Sequence, residues 1–136
     1  MIKPIVRDTF FLSRKSEEAT KADIAIVTDH EDTLRANREQ CVGLAANMIG
    51  YRKKIIIVAA GLADIVMINP VIIIKDEPYE AEEGCLSLPG VRKTTRYKRI
   101  TVRYLDRKFT EHTQSFSGYI AQIIQHECDH LEGILI

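Results

Sequence analysis

The sequence predicts an α+β fold. Three observations carry this: a stretch free of Pro and Gly with helix-type composition, a series of short β-type runs after it, and a last helix with a clear stop. From Lys21 to Gln40 the chain is rich in Ala, Glu, Arg and Leu. That suits a helix despite the largely β-branched run Ile24 to Thr28, with a stop expected near Gly43. Five runs then read as strands: Lys54 to Ala59, Ile65 to Ile68, Val71 to Lys75, Arg99 to Tyr104 and Phe109 to Gln114. Gly61, Asn69-Pro70, Pro78, Pro89-Gly90 and Asp106-Arg107 punctuate them as turns. Ile100, Val102 and Tyr104 alternate with Thr101, Arg103 and Leu105, the period of a strand with a buried face. The last helix is expected from Ser117-Gly118 to Gly133, where glycine closes it. With no repeat or linker in between, residues 1–136 read as one domain.

Of the 136 residues 46% are hydrophobic, enough for one core. Lys+Arg and Asp+Glu each number 19, so there is no global basic field for unselective nucleic-acid binding, and no specific nucleic-acid site is evident. The basic stretch Arg92, Lys93, Arg96, Lys98 and Arg99 reads as the solvated face of a turn and strand. The 3 cysteines, Cys41, Cys85 and Cys128, do not suggest a disulfide scaffold, and the apolar residues near the N-terminus are too few for a signal-peptide core or a membrane span. A cytoplasmic protein is expected, with no membrane partner.

Chemistry concentrates in Gln125-His126-Glu127-Cys128-Asp129-His130, which contains H-E-x-x-H inside the last helix. At about 100° per residue, residues four apart are offset by about 40°, so His126 and His130 can reach one metal ion from the same helix face. Glu127 stands next to a ligand without having to be one, the placement a general acid/base needs. A catalytic metal site usually takes three protein ligands, and the best third is Cys85 in Glu83-Gly84-Cys85-Leu86-Ser87-Leu88-Pro89-Gly90. Cys41 and Cys128 read as small buried hydrophobes, with Cys128 about 200° round the helix from His126.

Three segments together resemble the peptide deformylase family: Gly43-Leu44-Ala45-Ala46, Glu83-Gly84-Cys85-Leu86-Ser87, and Gln125-His126-Glu127-Cys128-Asp129-His130-Leu131 with Gly133. The resemblance implies small antiparallel sheets packed around a central metal-binding helix. It also implies removal of the formyl group from the N-terminal formyl-methionine of nascent polypeptides. The family's metal ligands fall on Cys85, His126 and His130 and its catalytic carboxylate on Glu127. The metal it implies is ferrous iron in the cell, with zinc, nickel or cobalt as alternatives. The expected partners are N-formylmethionyl peptides, and the ribosome is a candidate neighbour where nascent chains emerge.

The chain departs from the family's first block in two places. Cys41 stands where that block has its first glycine and Met48 where it has glutamine. A thioether offers no N–H to a developing oxyanion, which leaves the backbone N–H of Leu86 as the implied donor. Asn47, on the other side of what reads as an extended segment, is expected to face away. Substrate is expected in extended form against Val42-Gly43 and Pro89-Gly90. Met48, Tyr119, Gln122 and Ile123 are candidates for the cleft and methionine pocket, Gln122 being more polar than such a wall requires. Because of Met48, two readings stay open beside an active deformylase: a related hydrolase with an altered substrate, and a metal-binding protein without turnover.

Overall fold

The computed structural model describes residues 1–39, 41–60, 63–85 and 88–135, except for the side chains of Leu88 and Pro89. The elements in chain order are α1 (Thr9–Leu12), α2 (Ile24–Ala36), β1 (Gly43–Ala45), β2 (Ile55–Ala60), β3 (Ala63–Cys85), β4 (Leu88–Leu105), β5 (Glu111–Ser117) and α3 (Gly118–Leu131). The strands join in sequence order in one five-stranded antiparallel sheet. Helix α3 packs against β1, β2, β4 and β5. Leu44, Ile56, Val58, Met67, Ile100, Val102, Phe116 and Ile124 form the core between them. Among the described residues, no helix is long and apolar enough to cross a membrane.

The helix expected from Lys21 to Gln40 is shorter at both ends. It opens with a 3-10 turn, Lys21–Asp23, where the Thr20 N–H donates to Asp23 Oδ2 at 2.8 Å. It stops at Ala36 because the Asn37 side chain donates to the Thr33 carbonyl at 2.8 Å, ending the helix before any glycine. Gln40 lies outside the described residues.

The larger correction concerns the strands. Ile65 to Ile68 and Val71 to Lys75 are not separate but parts of the 23-residue β3, and Asn69-Pro70 marks a register shift within it. Asn69 takes φ 52°, and its amide accepts from the Ala19 N–H at 2.8 Å and donates to the Ala19 carbonyl at 3.0 Å. The expected break is thus absorbed by a side chain that mimics a neighbouring strand. Pro78 is also inside β3, opposite Tyr97; beyond Val71 this strand pairs only with β4, so one edge has no ladder for a proline to break. Pro89-Gly90 belongs to the start of β4 rather than to a turn. The run expected from Phe109 begins later, at Glu111, because Phe109 sits at φ 61° in a turn held by Asp106, whose carboxylate accepts from the Lys108 and Thr110 N–H groups. Ile100, Val102 and Tyr104 are buried, as their alternation predicts.

Helix α3 ends at Leu131 and is closed just past its cap by Gly133 (φ 77°) with a paired bond pattern: Gly133 N–H to His130 C=O and Ile134 N–H to Asp129 C=O, both at 3.0 Å. A Cβ here would lie 2.3 Å from the Ser13 carbonyl oxygen, so only glycine allows the N-terminal segment to lie across the end of the helix.

His30 of α2 is 1% exposed, and burial lowers it from 6.5 to about 4, against a smaller opposite push from the Leu44 backbone. The unfolded chain therefore binds a proton that the folded chain refuses. Its contribution to stability is intact above about pH 7 and declines as pH falls toward 4. Between pH 7.5 and 5 the expected loss is about 2 kcal/mol. Urea unfolding of His30→Leu at the two pH values should show a fall smaller than that of the wild type by about this amount; equal falls would contradict it.

Candidate metal centre and cleft

The long β3 delivers Cys85 to the face of α3 that carries the histidines. Cys85 Sγ lies 3.3 Å from His130 Nε2, which lies 3.0 Å from His126 Nε2. All three donor atoms fall within 4.8 Å of one another. Tetrahedral ligation at ordinary zinc-type bond lengths places such atoms roughly 3.3–3.6 Å apart, so the three fit one ion. Both imidazole edges point into the same small volume. Burial opposes charge on His126, but Cys85 and Glu83 beside it reverse this and raise it, while burial and then its cationic neighbour lower His130.

Glu127 follows His126 and is 4% exposed; burial pushes its carboxyl up to about 7. Its Oε1 has no hydrogen-bond partner among the described residues. Gly43 of β1 lies directly against it: a Cβ on Gly43 would sit 3.1 Å from Glu127 Oε2 and 2.7 Å from Ile123 Cγ2. The absence of a side chain there brings the strand backbone onto the carboxylate.

A cavity of about 360 Å³ opens above these groups. Cys41, Val42, Gly43, Met48, Cys85, Tyr119, Gln122, Ile123, His126 and Glu127 all line it, so the sequence candidates from three segments meet in one cleft. His130 lies behind this wall, fully buried. Gly90 is not among the lining residues; its carbonyl faces Gly84, 3.6 Å from where a Cβ on that residue would be. Leu86 lies outside the described residues. Met48 is 1% exposed and its Sδ accepts from the Ala45 N–H at 3.4 Å. The segment after Ala45 is a 3-10 turn (Ala46–Ile49), not extended chain, and it sends the Asn47 amide away from the cleft to donate to the His130 carbonyl at 2.9 Å. Burial pushes the Cys41 thiol up to about 12, so it remains an S–H donor, aimed at the Gly43 carbonyl. Cys128 packs against the core.

Two residues that support this centre were not assigned a role from the sequence. Glu83 Oε1 lies 2.8 Å from His126 Nδ1, which fixes that ring with its Nε2 toward Cys85 and His130. Arg96, expected in a solvated basic stretch, is 3% exposed. Its Nη2 and Nε donate to the two Glu83 oxygens at 2.7 and 2.9 Å, and its Nη1 donates to Asp129 Oδ2 at 2.7 Å. Lys93, Lys98 and Arg99 are exposed as expected. Gln122 Nε2 donates to Glu83 Oε2 at 2.9 Å, which explains a polar residue on this wall. Burial raises the Glu83 carboxyl, but hydrogen bonds with His126, Arg96 and Gln122 outweigh it and hold the group near 2. Strand period alone does not single out Arg96: Lys98 shares its parity with the buried Ile100 and is nevertheless exposed.

Arg96→Met should therefore destabilise the fold by about 3–5 kcal/mol, since Glu83 and Asp129 lose their counter-charge. It should also weaken metal retention, because His126 loses its fixed partner. Thermal melting and metal content of the same sample check both; a variant as stable and as metal-loaded as wild type would show that the pair carries no weight.

The comparisons agree with this geometry. A family model for polypeptide deformylase matches residues 2–136. A peptide deformylase of Clostridium beijerinckii is 61% identical over 136 residues, the full length of both chains. Among solved structures, a class I type b peptide deformylase from Acinetobacter baumannii with Met-Ala-Ser bound superposes with a TM-score of 0.88 at 28% identity, over 99% of this chain and 97% of that one. Peptide deformylase from Thermotoga maritima does so with 0.89 at 31% identity, over 99% and 95%. With a family model over residues 2–136 and a relative 61% identical over the full chain, the chain belongs to the polypeptide deformylase family.

Proposed function

We propose that this chain, as one catalytic unit over residues 1–136, removes the formyl group from the N-terminal methionine of nascent polypeptides by metal-dependent hydrolysis. One observation carries the reading: Cys85, His126 and His130 converge beside the buried Glu127 at the wall of a cleft. The donor set fits a divalent ion, with two imidazole nitrogens and a sulfur facing one point and His126 oriented from behind by Glu83. A divalent ion held there supplies Lewis acidity, polarising a carbonyl and lowering the pKa of water toward neutrality. The nitrogen and thiolate set accepts iron, zinc, nickel or cobalt, and ferrous iron is the ion we assign in the cell.

The chain's own residues supply the rest. Glu127 takes the proton from the attacking water on a carboxylate oxygen and returns it to the nitrogen of the leaving amine. Its burial helps, because a carboxyl that titrates near neutrality can do both. The backbone N–H of Leu86 is the donor we assign to the oxyanion. The substrate lies extended along Cys41, Val42 and Gly43, and the methionine side chain enters the apolar part of the cleft formed by Met48, Tyr119 and Ile123. Glycine at 43 keeps the substrate's path clear and the strand close to Glu127. Three free cysteines, one of them a proposed ligand, suit a reducing cytoplasm, where newly made chains leave the ribosome.

Alanine at Cys85, His126 or His130 should remove most bound metal, because a three-ligand site loses both a bond and its preorganisation. Glu127→Gln should keep about one equivalent of metal while hydrolysis of formyl-methionyl peptide falls by about a hundred to ten thousandfold. Metal analysis and an amine-release assay on anaerobically prepared protein measure both. Stoichiometric metal in Cys85→Ala would move the third ligand elsewhere, and wild-type protein inert toward formyl peptides with every metal would favour the binding-only reading.

A further inference from the structure

Strand β1 is the edge strand of the sheet, and one of its edges has no strand partner. Val42 C=O accepts from the Ala59 N–H at 2.8 Å, so in the antiparallel alternation Leu44 pairs next with β2, while the backbone groups of Gly43 and Ala45 point outward. Among the described residues, a sulfur atom meets each of these outward groups, and the Ala45 backbone also hydrogen-bonds the Glu127 carboxylate, which ties this end of the strand directly to it. Cys41 Sγ–H donates to the Gly43 carbonyl at 2.8 Å, and the Ala45 N–H donates to Met48 Sδ at 3.4 Å. Both side chains are buried, and both line the cleft. Between the two contacts the strand backbone rests on Glu127, with Oε2 only 3.1 Å from where a Gly43 Cβ would be. Any sideways shift of this three-residue strand would change the surface against which the carboxylate is packed. Each sulfur by itself holds only one end of the exposed edge.

We propose that Cys41 and Met48 are a coupled pair of positioning residues, a sulfur clamp that holds the free edge of β1 against Glu127. Neither touches the reacting atoms; each acts through the strand. The inference rests on Glu127 being the proton carrier. Because both contacts secure one short edge, releasing either end frees it, and releasing the second adds little. The signature is strong non-additivity.

The test is a double-mutant cycle on the metal-loaded full chain, with Cys41→Ala, Met48→Leu and the double variant assayed on a formyl-methionyl peptide. Both substitutions keep the wall apolar and change volume little. Each single variant should lose about tenfold in kcat, since a displaced base slows chemistry; both side chains also line the proposed substrate path, so a change confined to KM would mean a lost binding contact and would overturn the clamp. The double variant should also lose about tenfold rather than about a hundredfold. Cys41→Ser, whose hydroxyl can donate to the same carbonyl, should recover most of the loss. Metal content and melting temperature are measured alongside. A multiplicative cycle, unchanged kcat in Cys41→Ala, no rescue by serine, or losses that only follow metal content or melting temperature would each overturn the clamp. Wild-type turnover that survives Glu127→Gln would instead overturn the role of Glu127, and the clamp with it.

Discussion

The site depends on one buried charge pair. Arg96 comes from β4, Glu83 from β3, and Asp129 and His126 from α3, so a single guanidinium ties the long hairpin to the helix that carries the histidines. A buried arginine without full compensation would be costly, and the forked geometry to Glu83 together with the bond to Asp129 supplies that compensation. Once Glu83 is held as an anion, it dictates the ring orientation of His126, and the other face of the imidazole turns toward Cys85. Only Gly84 separates Glu83 from Cys85 on the same strand, so the group that orients one proposed ligand and the strand that delivers another are the same element.

Close backbone approach is the second constraint. Gly43 lets β1 lie on Glu127 and Ile123, and Gly133 lets the segment at Ser13 cross the end of α3. Asn47 adds a third tie, from the turn after β1 to the carbonyl of His130. The histidine helix is thus fixed at its start by the cleft wall, in its middle by the charge pair and at its end by two backbone contacts. Such support is what a site needs if donor atoms must meet within a few tenths of an ångström.

Much of this was legible in the sequence because local rules decide it. The spacing of His126 and His130, the glycine stop at Gly133 and the alternation about Val102 each depend on a few adjacent residues. The misread elements depend on distant partners. Asn69-Pro70 looks like a break until Ala19, 50 residues away, bonds the asparagine amide. Arg96 sits among exposed Lys93, Lys98 and Arg99, and only its tertiary partners distinguish it. Gly90 was placed by a turn reading, whereas strand pairing carries β4 through it. The cleft residues on α3, by contrast, follow from helical spacing before His126, and Tyr119, Gln122 and Ile123 all reach the cavity.

Met48 then takes a meaning that its position alone does not give. Read only as a missing amide, it subtracts a hydrogen-bond donor from the transition state, a loss that typically costs about a hundred to a thousandfold. In the structure its sulfur has work of its own, accepting from Ala45 on the strand that rests against Glu127. Cys41, the other departure from the family pattern, makes the matching contact two residues earlier on the same strand. An oxyanion donor acts on the charge that forms, whereas a held strand acts on the position of Glu127, the proton carrier we propose. These contributions enter the same barrier by different routes and add as free energies, so a well-placed Glu127 offsets part of what a missing donor costs. A strand edge held at both ends is therefore a physical reason for the two substitutions to occur together.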